Sequence, residues 1–377
     1  MLAGLALSLL GLDAIDIGER LAPGPGDPIG PIEQKQTIFL FVGLLAGGCI
    51  ALPSYRFFAV LAWPAYFVAI ALLIFLLLPF VPESIVKPRN GARGWIDLGF
   101  VDLQPAEFAK VAYVLTVAAY LRTRRNHRTF IGLAVPGIIT FVPVALLTRQ
   151  PDLGTAALFI PSLFAMLVIA GAKIRHLTLI VAIAMMAAPT VYPLLEPHQK
   201  QRIVGYVGQL RGDRSTASDI NFQAFTAQAL VGAGGLHGQP EPRARALVHY
   251  NRLPERHNDM IYSVIVCRHG QRGGMLALGL YGVWLLGAGL TAWMSRDGFA
   301  RVMICGVMGF LAAQVFVNVG MNIGLLPIIG ITLPFVSYGG SSMLTTWLMT
   351  GLVLNVGLHR APSVRGRGSG YPDGDDE

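Results

Sequence analysis

The residues best placed to do chemistry are ionisable groups set into otherwise apolar stretches. A charge at membrane depth is costly, so such groups are functional candidates. One set is Gln104-Pro105-Ala106-Glu107-Phe108-Ala109-Lys110. Pro105 suits a helix's first turn, where its missing N–H leaves nothing unsatisfied. Glu107 then falls at the positive end of the helix dipole, and Lys110, three residues on, shares its face. The pair reads either as a local ion pair that admits Lys110 to the membrane or as the lining of a polar cavity open outward. A second set is Leu253-Pro254-Glu255-Arg256-His257-Asn258-Asp259-Met260, a charged run that ends abruptly in an apolar segment. Asp259 stands at the border. It is either the N-cap of the following helix or, beside Arg256 and His257, a general base at the mouth of a cavity. Asp259 and His257 alone are too few donors to define a divalent-cation site.

A third set is the apolar stretch from Gly324 to Ser342, broken by Pro327, Pro334 and four glycines. It cannot be one straight helix. Broken backbone at membrane depth is tolerated only inside protein or along a water-filled cavity. The stretch therefore reads as a re-entrant or unwound segment, with a plain helix–loop–helix connection as the alternative. Asp152, in Arg149-Gln150-Pro151-Asp152-Leu153-Gly154-Thr155, reads as a helix cap. The glycine-rich run Gly232–Gly238 follows no strand, so it is a poor phosphate loop and reads as a source of flexibility.

The elements that must position these groups follow from composition. Of 377 residues, 54% are hydrophobic and 13% charged, against about 25% charged in a soluble protein. The mean hydropathy is +0.57. These values exclude an ordinary soluble enzyme, a disordered chain and a disulfide scaffold. Cys49, Cys267 and Cys305 lack the spacing of a metal or disulfide framework and read as unpaired thiols. The net charge of +8 is distributed between apolar spans, so it reads as a topology signal and not as nucleic-acid binding.

The expected class is an all-α polytopic membrane protein with about ten transmembrane helices. The spans fall near 1–15, 37–52, 58–80, 105–121, 130–147, 155–170, 177–195, 260–293, 302–322 and 341–358. The first is short, and no basic n-region precedes it, which argues against a signal peptide. Arg122, Arg124, Arg125 and Arg128 follow the fourth span. Lys173 and Arg175 follow the sixth, Arg296 and Arg301 the eighth, and Arg360, Arg365 and Arg367 the tenth. These alternate loops lie on one side, cytoplasmic by the positive-inside rule, which puts both termini inside. The domain expectation is a transmembrane domain over 1–360, with one large extracytoplasmic loop over 196–258, and a disordered cytoplasmic tail over 361–377. That loop carries eight bases against five acids. It reads as a solvated loop near lipid headgroups or as a platform for an anionic ligand on the outer leaflet.

These groups, in this order, resemble the SEDS family (shape, elongation, division and sporulation proteins). The motifs that carry the resemblance are Gly91–Gly99 (Gly-Ala-Arg-Gly-Trp-Ile-Asp-Leu-Gly), Gln104–Lys110, Arg149–Thr155, Leu253–Asp259 and Asn318–Ser342, and they extend over about Lys35 to Arg360. Within the family, the wording from Gly320 to Pro327 is closer to the RodA branch than to the FtsW branch. The resemblance implies a peptidoglycan glycosyltransferase in the bacterial inner membrane. Such an enzyme polymerises lipid II on the outer face and releases undecaprenyl diphosphate. It works with a class B penicillin-binding protein within the elongation or division machinery. The resemblance implies Asp259 as the essential carboxylate, Glu107 and Lys110 as its companions in the catalytic set, and a divalent cation, Mg²⁺ or Mn²⁺, that Asp259 could help to hold. No organic cofactor is implied. The further candidates for substrate binding are Arg93, Trp95, Gln104, Arg202, Arg256, His257, Ser337 and Ser341.

The sequence departs from the family pattern at Cys267 and Arg268, where two glutamates are usual, and at Ala106, where serine is usual. The departure at 267–268 favours the first rival, a non-catalytic scaffold that activates a penicillin-binding protein. A lipid II flippase would need a polar path across the whole bilayer, whereas the candidate residues cluster toward one side. A secondary transporter would call for a second broken segment in the first half, and none is present.

Overall fold

The structure, a computed structural model, describes residues 1–22, 29–82, 84–86, 93–99, 101–124, 129–191, 193, 197–210 and 221–359. The expected tail, 361–377, lies outside the described residues. The elements in chain order are α1 (Leu2–Glu19), α2 (Pro31–Ala51), α3 (Tyr55–Leu77), β1 (Ile96–Asp97), β2 (Asp102–Leu103), α4 (Pro105–Thr123), α5 (Ala134–Arg149) and α6 (Leu153–Ala170). They continue with α7 (Ile174–Val191), α8 (Pro197–Leu210), α9 (Phe222–Gly234), α10 (Glu241–Tyr250), α11 (Ile261–Met294), α12 (Gly298–Asn322) and α13 (Gly340–Leu358).

Each expected span is a helix, and the chain is a multi-pass membrane protein. Seven helices (α2, α3, α5 with its preceding turn, α6, α11, α12 and α13) are long and apolar enough to cross a membrane. Two others carry more charge: α1 holds Asp13, Asp16 and Glu19, and α4 holds Glu107, Lys110 and Arg122. The apolar part of α7 is shorter, Ile174–Met186. The first helix runs past the expected boundary to Glu19, so its acids lie on the helix and not in a loop. Glu19 then caps the next helix: its carboxylate accepts from the Ile32 and Glu33 N–H groups at 2.8 and 3.0 Å. Those are orphan donors of a helix start, and an acid there also suits the dipole.

Small residues bring the helices together. Gly43 and Gly47, four apart on α2, meet α13: a Cβ at Gly47 would stand 2.6 Å from the Trp347 carbonyl oxygen. Such close approach is how helices pack where lipid supplies no hydrophobic driving force. At the centre stands α4, buried on most faces. Its Tyr113 packs edge-on with Phe159 of α6 and Phe310 of α12, with ring centroids 4.9 and 5.9 Å away. The two-residue ribbon pairs Ile96 with Leu103 and leads directly into α4.

The described part of the 196–258 region contains three helices, α8 to α10. One expectation changes. The glycine-rich run is a docking element and not a flexible one. A Cβ at Gly234 would overlap the Val266 carbonyl, and one at Gly238 the Arg268 carbonyl. At that level α11 kinks, with Gly270 at φ +71°. The run satisfies the backbone groups the kink exposes: Gln239 N–H donates to Cys267 O at 3.0 Å, and Gln271 N–H to Gly235 O at 2.8 Å. Only glycine permits backbones to meet this closely.

Candidate active site

The segment between α12 and α13 is the scaffold of the site. Pro327 and Pro334 deny it a helix, and Gly324, Gly330 and Gly339 all take positive φ. The segment is nevertheless inside the protein, with Ile331, Leu333, Phe335, Val336 and Ser337 all buried. The Phe335 ring packs against Trp347 at 5.3 Å and Trp284 at 6.3 Å. Tyr281 of α11 donates its hydroxyl to the Pro334 carbonyl. Gln36 of α2 donates to Ser337 O at 3.0 Å and accepts from Gly339 N–H at 3.1 Å. Irregular backbone is thus paired by side chains where water is scarce.

This scaffold holds the turn that bears Asp259. Asn318 and Asn322, one turn apart on α12, each donate to the Asp259 carbonyl at 2.9 Å. Asn318 also donates to Ile331 O at 2.7 Å. Asn322 Oδ1 accepts from Ser263 N–H at 3.1 Å, which satisfies a donor at the start of α11. Ser337 donates to Asn258 O at 2.6 Å and accepts from Leu333 N–H at 2.7 Å. Tyr338 N–H donates to His257 O at 2.8 Å. The N-cap position of α11 falls on Met260, which makes no side-chain cap bond, and Asp259 stands one residue before it. Asp259 is partly exposed. Its carboxylate faces Gly330, where a Cβ would stand 3.4 Å from Asp259 Oδ2.

The same end of the bundle holds the start of α4. Lys110 Nζ donates to Glu107 Oε1 at 2.8 Å, and both side chains are buried. Asp152 caps α6 as expected, accepting from Thr155 N–H at 3.0 Å. It also lies within electrostatic reach of Glu107 and Lys110. Gly154 packs against Ile329, its Cβ position 2.5 Å from that carbonyl. One stretch of the broken segment thus has Asp259 against Gly330 and the start of α6 against Ile329.

The other candidates fall as follows. Gln104 is the N-cap residue of α4, and its N–H donates to Ser341 Oγ at 2.9 Å. Ser341 donates in turn to Asp102 O at 3.2 Å, so the hydroxyls of Ser337 and Ser341 both serve backbone. Arg93 donates to Val81 O at 3.2 Å near the ribbon, and Trp95, in the same segment, is partly exposed. Arg256 and His257 pack on α1, whose Gly18 Cβ position would lie 3.0 Å from the His257 ring. Burial, then the charges of Arg256 and His249, push the His257 imidazole down to about 4. It is neutral at pH 7. Arg202 belongs to α8, and its side chain lies outside what is described.

Sequence reasoning gave no individual role to Asn318, Asn322 or Gln36, and it counted Arg245 only among the bases of the outer loop. The signal for the first three was present: an amide in an apolar helix needs a partner, and 318 and 322 share a face. Arg245 joins α10 to α1. It pairs with Asp16, lies 2.8 Å from Glu241 Oε1, and donates to Asp16 O and Arg20 O at 2.8 and 2.9 Å. The departures at 267–268 fit this surround. Cys267 is buried, and Arg268 reaches Gln239 O at 3.1 Å and Glu241 at 3.9 Å. His269 meets Asp13 of α1 at 2.8 Å.

Comparison with known proteins accords with this fold. The family model described as "Cell cycle protein", for FtsW, RodA and SpoVE, matches residues 30–361. Stage V sporulation protein E of Bacillus subtilis is 30% identical over 86% of this chain and 86% of its own length. The probable peptidoglycan glycosyltransferase FtsW of Tolumonas auensis is 30% identical over 95% of this chain and 92% of its own. The peptidoglycan glycosyltransferase MrdB of Escherichia coli is 31% identical over 72% of each chain. A chain from a peptidoglycan synthase complex that coordinates polymerization and crosslinking superposes with a TM-score of 0.77 at 30% identity, covering 94% of this chain and 95% of that one. The rod shape determining protein RodA of Thermus thermophilus superposes with a TM-score of 0.65 at 28% identity, covering 95% of each. With this architecture and this extent of match, the chain belongs to the FtsW/RodA/SpoVE family.

Proposed function

We propose that this protein is a peptidoglycan glycosyltransferase that polymerises lipid II into glycan strands and releases undecaprenyl diphosphate. The observation that carries the reading is the held Asp259 turn, at the same end of the bundle as the buried Glu107–Lys110 pair. The sugar hydroxyl of the acceptor needs a base as its oxygen attacks the anomeric carbon. Asp259, partly exposed and with its backbone anchored, takes that proton. As the new C–O bond forms, the bond to the diphosphate breaks and its electron pair leaves with the phosphate. Charge grows on that leaving group, and a cation in a low-dielectric site stabilises it. Lys110 supplies one such charge, and Glu107 orients it through the 2.8 Å contact. Direct displacement inverts the anomeric centre; isolation of a covalent glycosyl-enzyme would overturn this.

The family implies a divalent cation. Among the described residues no three His, Cys, Asp or Glu side chains converge on one point. Asp259, a partly exposed carboxylate, would hold such a cation together with the substrate's own diphosphate, the mode usual for Mg²⁺. Bound there, it would neutralise the leaving group.

The orientation proposed from loop charge places Asp259 outside and both termini in the cytoplasm. Lipid II, with a polyprenyl tail and an anionic head, then meets the site from the outer leaflet. The similarity to a chain of a complex that couples polymerization to crosslinking supports a class B penicillin-binding protein as partner, within the elongation or division machinery.

The test is polymerisation of lipid II by the purified protein, alone and with its cognate transpeptidase, beside Asp259→Ala. Glycan chains from the wild type and at least a hundredfold fewer from a folded, partner-binding variant are expected. Equal chains from both would remove Asp259 as the base. None from either, with Mg²⁺ or Mn²⁺ supplied, would favour a scaffold.

A further inference from the structure

A cavity of about 440 Å³ opens at the end of the bundle opposite Asp259, between the start of α3, the end of α4 and the start of α5. Its lining divides by chemistry. Ala59, Trp63 and Val135 supply an apolar wall, and Tyr120, Arg122 and Arg124 a polar rim. Both arginines are exposed, and neither forms an ion pair among the described residues. The sequence offers no local acid either: residues 34–82 and 108–151 contain no Asp or Glu. The one acid on the helices that build the cavity, Glu107, stands at the far end of α4 and is paired with Lys110, so two guanidinium groups face a cavity with no acid near it in these helices.

The apolar wall continues outward. Val60 is 76% exposed and Phe67 63% exposed on the face of α3 that carries Trp63. The Trp63 ring lies 6.1 Å from Phe67 and 6.3 Å from Tyr66. A tryptophan with one apolar side and one polar end marks the level of lipid headgroups. The end of α4 brings carbonyls that disfavour an anion, while the nearby starts of α3 and α5 bring N–H groups that favour one. Arg122 and Arg124 decide the sign. Their planar forks suit phosphate oxygens, and basic pockets between helices at this level hold phospholipid headgroups.

We infer that this cavity binds the phosphate headgroup of an anionic phospholipid, with the acyl chains lying along the Val60–Phe67 face of α3. Only the leaflet, the inner one, rests on the orientation proposed above.

The experiment counts phospholipids retained by the purified protein in native mass spectrometry, from detergent micelles doped equally with phosphatidylglycerol and phosphatidylcholine. The readout is independent of orientation and of polymerase activity. The wild type should retain one phosphatidylglycerol at least fivefold above phosphatidylcholine. Arg122→Gln with Arg124→Gln should remove that preference, and so should Ala59→Leu, which fills the cavity and leaves both charges. The control pair Arg296→Gln with Arg301→Gln should retain it. Equal retention by the 122/124 pair and the wild type would overturn the inference. So would equal loss in the control pair, which would mean charge alone and no built site. Displacement of the lipid by micromolar glycerol phosphate would also overturn it, since the apolar wall would then contribute nothing.

Discussion

Arginine does opposite work at the two ends of this bundle. Arg245, at the Asp259 end, is 3% exposed and is held by two carboxylates and two backbone carbonyls. Arg122 and Arg124, at the other end, are exposed and form no ion pair among the described residues. The first is a structural joint between α1 and α10. The second pair remains available for an external anion and for fixing orientation. A buried charge must be fully paired or it destabilises the fold, whereas an exposed one changes stability little. The pairing therefore says which end is built to hold a geometry.

The comparison is most sharply tested at Lys110. Lys110→Met leaves Glu107 buried without its partner and should cost about 4 kcal/mol, read as a large fall in the melting temperature of the purified protein. Adding Glu107→Gln should restore most of the melting temperature and none of the polymerisation. Recovery of activity in the double variant would show the pair to be structural only. Next, Arg245→Met should cost about 3 kcal/mol, while Arg122→Gln should stay within about 0.5 kcal/mol. Similar melting shifts for the two would dissolve the distinction between the ends. Asn322→Ala leaves Ser263 N–H and one bond to Asp259 O unmade, at about 1–3 kcal/mol. Because that bond positions Asp259, polymerisation should fall about tenfold even at temperatures where the variant is fully folded; an unchanged rate would exclude this positioning role.

The smallest effect concerns pH. Burial pushes the His257 imidazole down to about 4, below the ordinary histidine value of 6.5. As pH falls the unfolded chain takes the proton first, so stability is present above about 6.5 and is lost from there down toward 4. Discounted for partial exposure, the loss between pH 7 and pH 5 is roughly 1 kcal/mol. His257→Gln should flatten that part of the melting curve against pH; an identical slope in the variant would assign the loss to other groups.

Much of the fold was legible because burial in lipid leaves few choices. Apolar runs of sufficient length must be helices, since each backbone group needs an internal partner. The charged exceptions, Glu107, Lys110 and Asp259, stood out against that background for the same reason. The prolines at 327 and 334 announced a break for want of an N–H. What the pattern could not convey was direction in space. Gly232–Gly238 has the composition of a flexible loop, and only its neighbour, the kink at Gly270, makes it a docking element. Asp259 has equal claim as a cap or a base from its position in the sequence, and only the structure shows its backbone carbonyl held by Asn318 and Asn322. The three helices α8 to α10 escaped notice because their partners lie elsewhere in the chain: Tyr206 of α8 donates to Leu325 O, Gly234 of α9 meets Val266 of α11, and Arg245 of α10 reaches Asp16 of α1, more than two hundred positions away.

The sequence by itself determined the class, the spans and the few residues able to do chemistry, because hydropathy, proline geometry and the cost of a buried charge are local properties. Only the tertiary structure decided how those residues are held. Asn318 and Asn322 reach the Asp259 carbonyl from another helix, Ser337 and Tyr338 reach the same turn from the broken segment, and Asp16 meets Arg245 across the chain. Each of these is a directional bond between distant positions, and its partner is set by packing and not by any neighbour in sequence.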